Sequence, residues 1–74
     1  MRLDHEKLKA LRTQKGWTQG QVLGRLAINY GYYCNPAILA RYEGGKIKRG
    51  SANLVILLAK LYGVQPEELL ESAQ

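Results

Sequence analysis

The sequence predicts an all-α protein, a compact bundle of five short helices with no sheet. Three observations carry that prediction. Residues that favour helix starts recur before apolar stretches, at Asp4, Thr18, Asn35, Ser51 and Pro66. Glycines that favour helix ends follow, at Gly16, Gly44-Gly45 and Gly63. The one strand-like stretch, Tyr30-Gly31-Tyr32-Tyr33, has no evident pairing partner.

Each helix has its own reason to form. In the first, Asp4 caps the N-terminus, Leu3 and Leu8 make a hydrophobic staple, Leu8 and Leu11 face inward, and Gly16 stops the run. The second opens on a capping box, Thr18-Gln19-Gly20-Gln21, in which the Thr18 hydroxyl accepts from the Gln21 amide and the Gln21 side chain reaches back. Trp17 and Val22 form its staple, and Trp17 is expected in the core. The helix carries Val22, Leu23 and Leu26 and fades between Asn29 and Gly31. The third starts at Asn35-Pro36, since asparagine caps well and proline at the first helical position forfeits no bond, and it ends at Gly44-Gly45. Ser51 caps the fourth, Ala52 to Tyr62, which Gly63 closes. Pro66 opens the fifth, with Glu67 and Glu68 in the first turn, where the helix dipole favours negative charge.

The chain has 74 residues, so residues 1–74 are expected to make a single domain. A domain of this size buries only about 60% of the surface its unfolded form exposes, which rules out a large enclosed active site. Cys34 is the one cysteine and cannot close an intramolecular disulfide, so a reducing cytoplasm is the expected location. The N-terminal residues lack the apolar run of a signal peptide, and the longest apolar run, Leu54 to Ala59, is far too short to cross a bilayer. No membrane partner is expected.

The formal net charge is +5. Residues 1–64 hold all eleven Lys and Arg against Asp4, Glu6 and Glu43, a net +8, while residues 65–74 hold Glu67, Glu68 and Glu71, a net −3. A basic body implies an anionic partner, most simply nucleic acid. An acidic tail implies a C-terminus that points away from it.

The second and third helices, joined by a turn and followed by the basic residues Lys46, Lys48 and Arg49, fit a helix-turn-helix. Leu11-Arg12, Gly16-Trp17-Thr18-Gln19, the run Ile38-Leu39-Ala40-Arg41-Tyr42-Glu43-Gly44-Gly45-Lys46, Leu58-Ala59-Lys60 and Gly63-Val64 together resemble the phage repressor and Cro type (XRE-like) of helix-turn-helix domain, across roughly residues 6–70. That resemblance implies a lambda-repressor-like five-helix fold whose third helix enters the major groove of double-stranded DNA. It also implies a homodimer on a near-palindromic operator, and regulation of transcription. Residue by residue, it implies base contacts from Asn35, Pro36, Ala37 and Arg41. Phosphate contacts fall to Thr18 and Gln19 at the start of the second helix and to Lys46, Lys48 and Arg49 in the loop after the third. Arg12 and Glu43 match a structural ion pair between the first and third helices.

Elementary chemistry is consistent with those roles. Free amides at a helix N-terminus make a ready phosphate site. Arg41 is the one long bidentate donor in the third helix, which suits guanine, and Ala37 suits a thymine methyl. The interval from Gln19 to Glu43 is longer than the family pattern, with the surplus in Ala27 to Cys34, so either the second helix is extended or the turn is enlarged. Pro36 and Ala37 stand where polar base-readers are common, which shifts weight to Asn35, Arg41 and DNA shape.

The fourth helix carries two apolar stripes. Val55, Leu58, Ala59 and Tyr62 are expected to face the core, and Leu54, Leu57 and Leu61 form a second stripe that either the Tyr-rich segment or the fifth helix covers or a second copy does. Tyr30, Tyr32 and Tyr33 are open between turn packing, contact with the sugar-phosphate backbone and a partner surface. His5 is expected to be exposed and Cys34 to be a packed thiol. The residues offer no catalytic constellation, metal cluster or cofactor motif, so an enzyme is not expected. The expectation is a DNA-binding regulator, with repression by promoter occlusion favoured because 74 residues leave no room for an activation domain. The alternative is a protein-interaction module of the same fold, an antitoxin or adapter, that binds a partner protein through the fourth helix.

Overall fold

The structure is a computed structural model that describes residues 2–47 and 49–71. Four α-helices run in order: α1, His5–Gln14; α2, Gln19–Tyr30; α3, Pro36–Glu43; and α4, Ala52–Tyr62. All four N-caps are side-chain caps of short polar residues. Asp4 accepts from the Glu6 and Lys7 amides, Asn35 from Ala37 and Ser51 from Leu54. Thr18 and Gln21 close a reciprocal capping box. Each such cap contributes on the order of 1 kcal/mol, a substantial fraction of the stability of so small a fold.

The fifth helix is a correction. Pro66–Leu69 forms one 3-10 turn of four residues, not an α-helix. Its start is as expected, at Pro66 with Glu67 and Glu68 in the first turn, and the Gln65 amide donates to the Glu68 carboxylate at 2.9 Å. Its end is set from elsewhere: Leu69 is fully buried, and Leu70 turns extended to bridge antiparallel with Leu3. The Asp4 amide donates to the Leu69 carbonyl at 2.9 Å and the Glu71 amide to the Arg2 carbonyl at 3.0 Å. Continuing the helix would break that pairing. Among the described residues the other bridge joins Arg2 to Arg49, and neither grows into a sheet.

The core lies between the helices. Leu8, Val22, Leu26, Leu39, Val55 and Leu58 are fully buried, with Leu54 and Leu69 among them. Each buried leucine contributes roughly 1.5–3 kcal/mol relative to exposure. Leu54 is only 2% exposed, which overturns its place on an outward stripe. It stands four and eight residues before Leu58 and Tyr62, and so shares their face of the helix. Leu57 and Leu61 are half-buried at the flank of that face, and Ile56 is 41% exposed. Trp17 is also half-buried rather than central: its ring stacks on Tyr62 at 6.3 Å and the Arg25 guanidinium lies over it at 4.3 Å.

Tyr62 carries a cost inside this core. It is buried, and its hydroxyl finds no hydrogen-bond partner among the described residues. Burial, reinforced by the nearby Glu43 carboxylate, pushes its phenol well above the ordinary value. Leaving a buried hydroxyl unsatisfied costs about 1–3 kcal/mol. Tyr62→Phe keeps the ring against Trp17 and removes that cost. Its urea midpoint should therefore equal or exceed that of the parent, and a marked fall would show that the hydroxyl is satisfied.

Candidate nucleic-acid interface

Glu43 organises the centre of the candidate face. The residue is 6% exposed and sits at the C-terminus of α3. Arg12 Nε from α1 donates to both carboxylate oxygens, at 3.0 and 2.8 Å, and Gln19 Nε2 from α2 donates at 3.1 Å. Arg12 also reaches the Trp17 carbonyl at 2.8 Å, just before α2. One buried carboxylate thus ties three helices together and fixes the angle of α3 against α1 and α2. Beside it lies a shallow cleft of about 230 Å³ lined by Lys9, Arg12, Gln19, Ala40, Glu43 and Gly44.

That cleft opens at the N-terminus of α2. The capping box uses the Thr18 and Gln21 amides, while the Gln19 and Gly20 amides meet no acceptor among the described residues. The Thr18 hydroxyl accepts within the cap and keeps its proton, so a ligand at this end would meet it as a donor beside the two free amides. The Gln19 side chain has one amide hydrogen committed to Glu43, which orients it at the cleft rather than leaving it loose.

On α3, Leu39, Tyr42 and Glu43 point inward. Pro36, Ala37, Ala40 and Arg41 are exposed, and their spacing puts them on the opposite side of the helix. The Arg41 guanidinium makes no hydrogen bond or ion pair among the described residues, so its five donors are free. Its carbonyl instead accepts from the Lys46 and Ile47 amides and closes the helix end. Asn35 spends Oδ1 on the Ala37 amide at 2.8 Å and keeps its Nδ2 group as a donor.

The loop after α3 turns on Gly45, which has φ +76°, a conformation that side-chain-bearing residues rarely adopt. A side chain there would also meet the His5 ring at about 3.1 Å. His5 is accordingly half-buried rather than exposed. Half-buried Ile47 pins the loop to the core, and Lys46 and Arg49 are exposed on it. Lys48 lies outside the described residues.

The acidic end does not stand clear of the basic one. Glu71 bonds Arg2 Nε at 2.9 Å, and Arg2 itself bridges Arg49. The pairing of the two chain ends brings the tail there.

The long interval between Gln19 and Glu43 is divided between helix and turn. α2 runs to Tyr30, and Gly31, at φ +63°, ends it in a left-handed cap. The Gly31 and Tyr32 amides donate to the Ala27 and Leu26 carbonyls. Residues 31–35 then lead to α3. Tyr32 and Cys34 are half-buried, whereas Tyr33 is 86% exposed and Tyr30 partly so. Burial, with the Tyr32 and Cys34 groups beside it, pushes the Tyr42 phenol up, and burial likewise raises the Cys34 thiol and keeps it protonated. The segment therefore folds back onto α3 through two of its side chains and leaves one outside.

Three residues of this face escaped the sequence reading. Lys9 stands three residues before Arg12, on the same side of α1, and helical spacing could have found it. Ala40 likewise follows Ala37 by three. No local signal marks Arg2, because its place beside Arg49 depends on pairing across 47 residues.

Four helices, with α2 and α3 crossing a shared turn and α3 presenting an exposed face, define a helix-turn-helix protein. The model of a family described as a helix-turn-helix domain matches residues 6–72, and the chain belongs to that family. No curated protein and no solved structure gave a match. Membership in a helix-turn-helix family points to DNA as the partner and to a role in regulating transcription. Among the described residues no helix is long and apolar enough to cross a membrane, and no group of three or more His, Cys, Asp or Glu could hold a metal ion.

Proposed function

We propose that the chain is a sequence-specific, double-stranded DNA-binding regulator of the phage repressor and Cro type, acting as a homodimeric repressor. The observation that carries this reading is the exposed side of α3. A helix braced from behind by Glu43 presents Pro36, Ala37, Ala40 and a free Arg41 between the cleft at the start of α2 and the basic loop. In the groove, Arg41 would take guanine O6 and N7, the Nδ2 group of Asn35 a base acceptor, and Pro36 and Ala37 apolar base edges. The free amides at Gln19 and Gly20, the Gln19 side chain and Lys9 would hold one phosphate. The Thr18 hydroxyl, whose proton the cap leaves free, would donate to the same phosphate. Lys46, Lys48 and Arg49 would hold the backbone on the far side of α3. Repression would follow from covering a promoter in the cytoplasm, with no cofactor and no chemistry of its own.

The dimer is drawn through the outer flank of α4, from Leu57 and Leu61 with Ile56 beside them. Two copies related by a two-fold axis would set their α3 helices about 34 Å apart, one turn of DNA. Leu57→Glu should shift the sedimentation coefficient to that of a monomer. Because Leu57 is half-buried, Ile56→Glu is the gentler companion and should weaken association with an unchanged melting curve. A parent protein that sediments as a monomer at high concentration removes the dimer.

Selection from a random duplex library tests the whole reading. The expected result is an enriched near-palindrome. Enrichment of a single half-site would keep DNA binding and reject the dimer. A folded protein that enriches nothing would favour the protein-interaction alternative, with the exposed Ile56 edge of α4 as its first contact.

A further inference from the structure

The turn between α2 and α3 holds one large side chain that packing does not explain. Tyr33 is 86% exposed, while its neighbours Tyr32 and Cys34 are half-buried and Tyr32 packs against the core. Burial alternates along residues 32–34, half-buried, exposed, half-buried, so the fold turns residue 33 outward. The backbone is fixed at both ends. The Tyr32 amide donates to the Leu26 carbonyl at 3.1 Å, and Asn35 caps α3. The ordering of Tyr33 is therefore already supplied by the fold, and contact with a partner would lose little further backbone freedom.

Position decides which partner. Tyr33 precedes the N-cap of α3 by two residues, and an extended chain spans at most about 3.5 Å per residue, so its Cα lies within about 7 Å of Asn35. The DNA major groove is about 12 Å wide. With the N-terminus of α3 seated near its middle, the wall, which is sugar and phosphate, lies within reach of an exposed side chain at position 33. A tyrosine suits that wall: its ring packs on the sugar and its hydroxyl donates to a phosphate oxygen.

We propose that Tyr33 is a DNA-positioning contact, its hydroxyl donating to a backbone phosphate beside the groove that α3 occupies. The proposal rests on the DNA reading above. It adds a neutral contact from the lengthened turn to the charged contacts of the loop after α3, so that the two ends of α3 are each held to a strand.

The test uses the full chain, a duplex enriched by the parent protein, and the same duplex with single phosphates replaced in turn by neutral methylphosphonate. Tyr33→Phe should weaken binding about tenfold, the scale of a hydrogen bond to a charged group. The slope of log affinity against log salt should not change, because no charge is lost. One methylphosphonate position should weaken the parent by a similar factor and leave Tyr33→Phe indifferent, a coupling that a merely structural residue would not show. Tyr33→Phe binding like the parent overturns the proposal, even if Tyr33→Ala is weaker, since the ring alone would then be acting. A parent protein that binds no duplex at all overturns both this contact and the reading beneath it. Parent binding with an indifferent Tyr33→Phe overturns this contact alone.

Discussion

Glu43→Ala should cost about 3–5 kcal/mol of folding stability, the usual loss when one partner of a buried ion pair is removed. The reason is geometric. The Arg12 side chain is 12% exposed and the Glu43 side chain 3%, so deleting the carboxylate strands a guanidinium with only the Trp17 carbonyl for company. Gln19 loses its acceptor in the same step. A domain of this length holds about 4–11 kcal/mol in all, at 0.05–0.15 kcal/mol per residue. The variant should therefore melt close to working temperature or fail to fold. Chemical denaturation measures the loss. The double variant Arg12→Met/Glu43→Leu is the informative companion. Buried pairs replaced by well-packed apolar groups are often neutral, so the double variant should recover most of the stability that the single one loses. A Glu43→Ala cost below about 1 kcal/mol, the range of exposed pairs, would mean that the carboxylate does not brace the three helices.

Arg41→Ala should leave stability untouched and change recognition. Arg41 is exposed and its side chain holds nothing else among the described residues. A bidentate arginine–guanine pair carries about 1–3 kcal/mol of discrimination, so the preference at one base pair of the half-site should relax by roughly 5- to 150-fold. Lys46→Ala should behave differently. It should weaken every sequence alike and reduce the salt slope by about one unit. Affinity measured over all single substitutions of an enriched site separates the two patterns. Equal losses on all sequences from both variants would contradict the roles given to them.

Local chemistry made much of this fold legible. The caps at Asp4, Thr18, Asn35 and Ser51 need only the few residues that follow them, and all four stand where the sequence puts them. What failed depends on distant partners. Pro66, Glu67 and Glu68 do start a turn, but its length is set by Leu70 pairing with Leu3 at the other end of the chain. Leu54 satisfies helical spacing with Leu57 and Leu61 and equally with Leu58 and Tyr62, and only the packed core decides between them. The tail charges suggested separation from the basic body, yet the same end-to-end pairing brings Glu71 to Arg2.

The candidate site divides along the same line. Arg12 and Glu43 are 31 residues apart, and no local pattern joins them. The resemblance to a known domain type supplied the pair, and the geometry adds Gln19 as its third member. Within α3 the exposed side follows from the helical period alone. The turn before it lay outside any familiar pattern, and its alternating burial, which leaves Tyr33 outside, required the fold.

The central claim is that the α3 face reads duplex DNA by sequence. It is tested most directly by measuring the affinity of the purified protein for an enriched duplex and for a scrambled duplex of the same length and composition, across a range of salt. Both affinities should fall linearly in log–log form, by about 0.9 per phosphate neutralised, and the enriched duplex should bind at least about 10³-fold tighter at physiological salt. Equal affinity for the two duplexes at every salt concentration would contradict the claim.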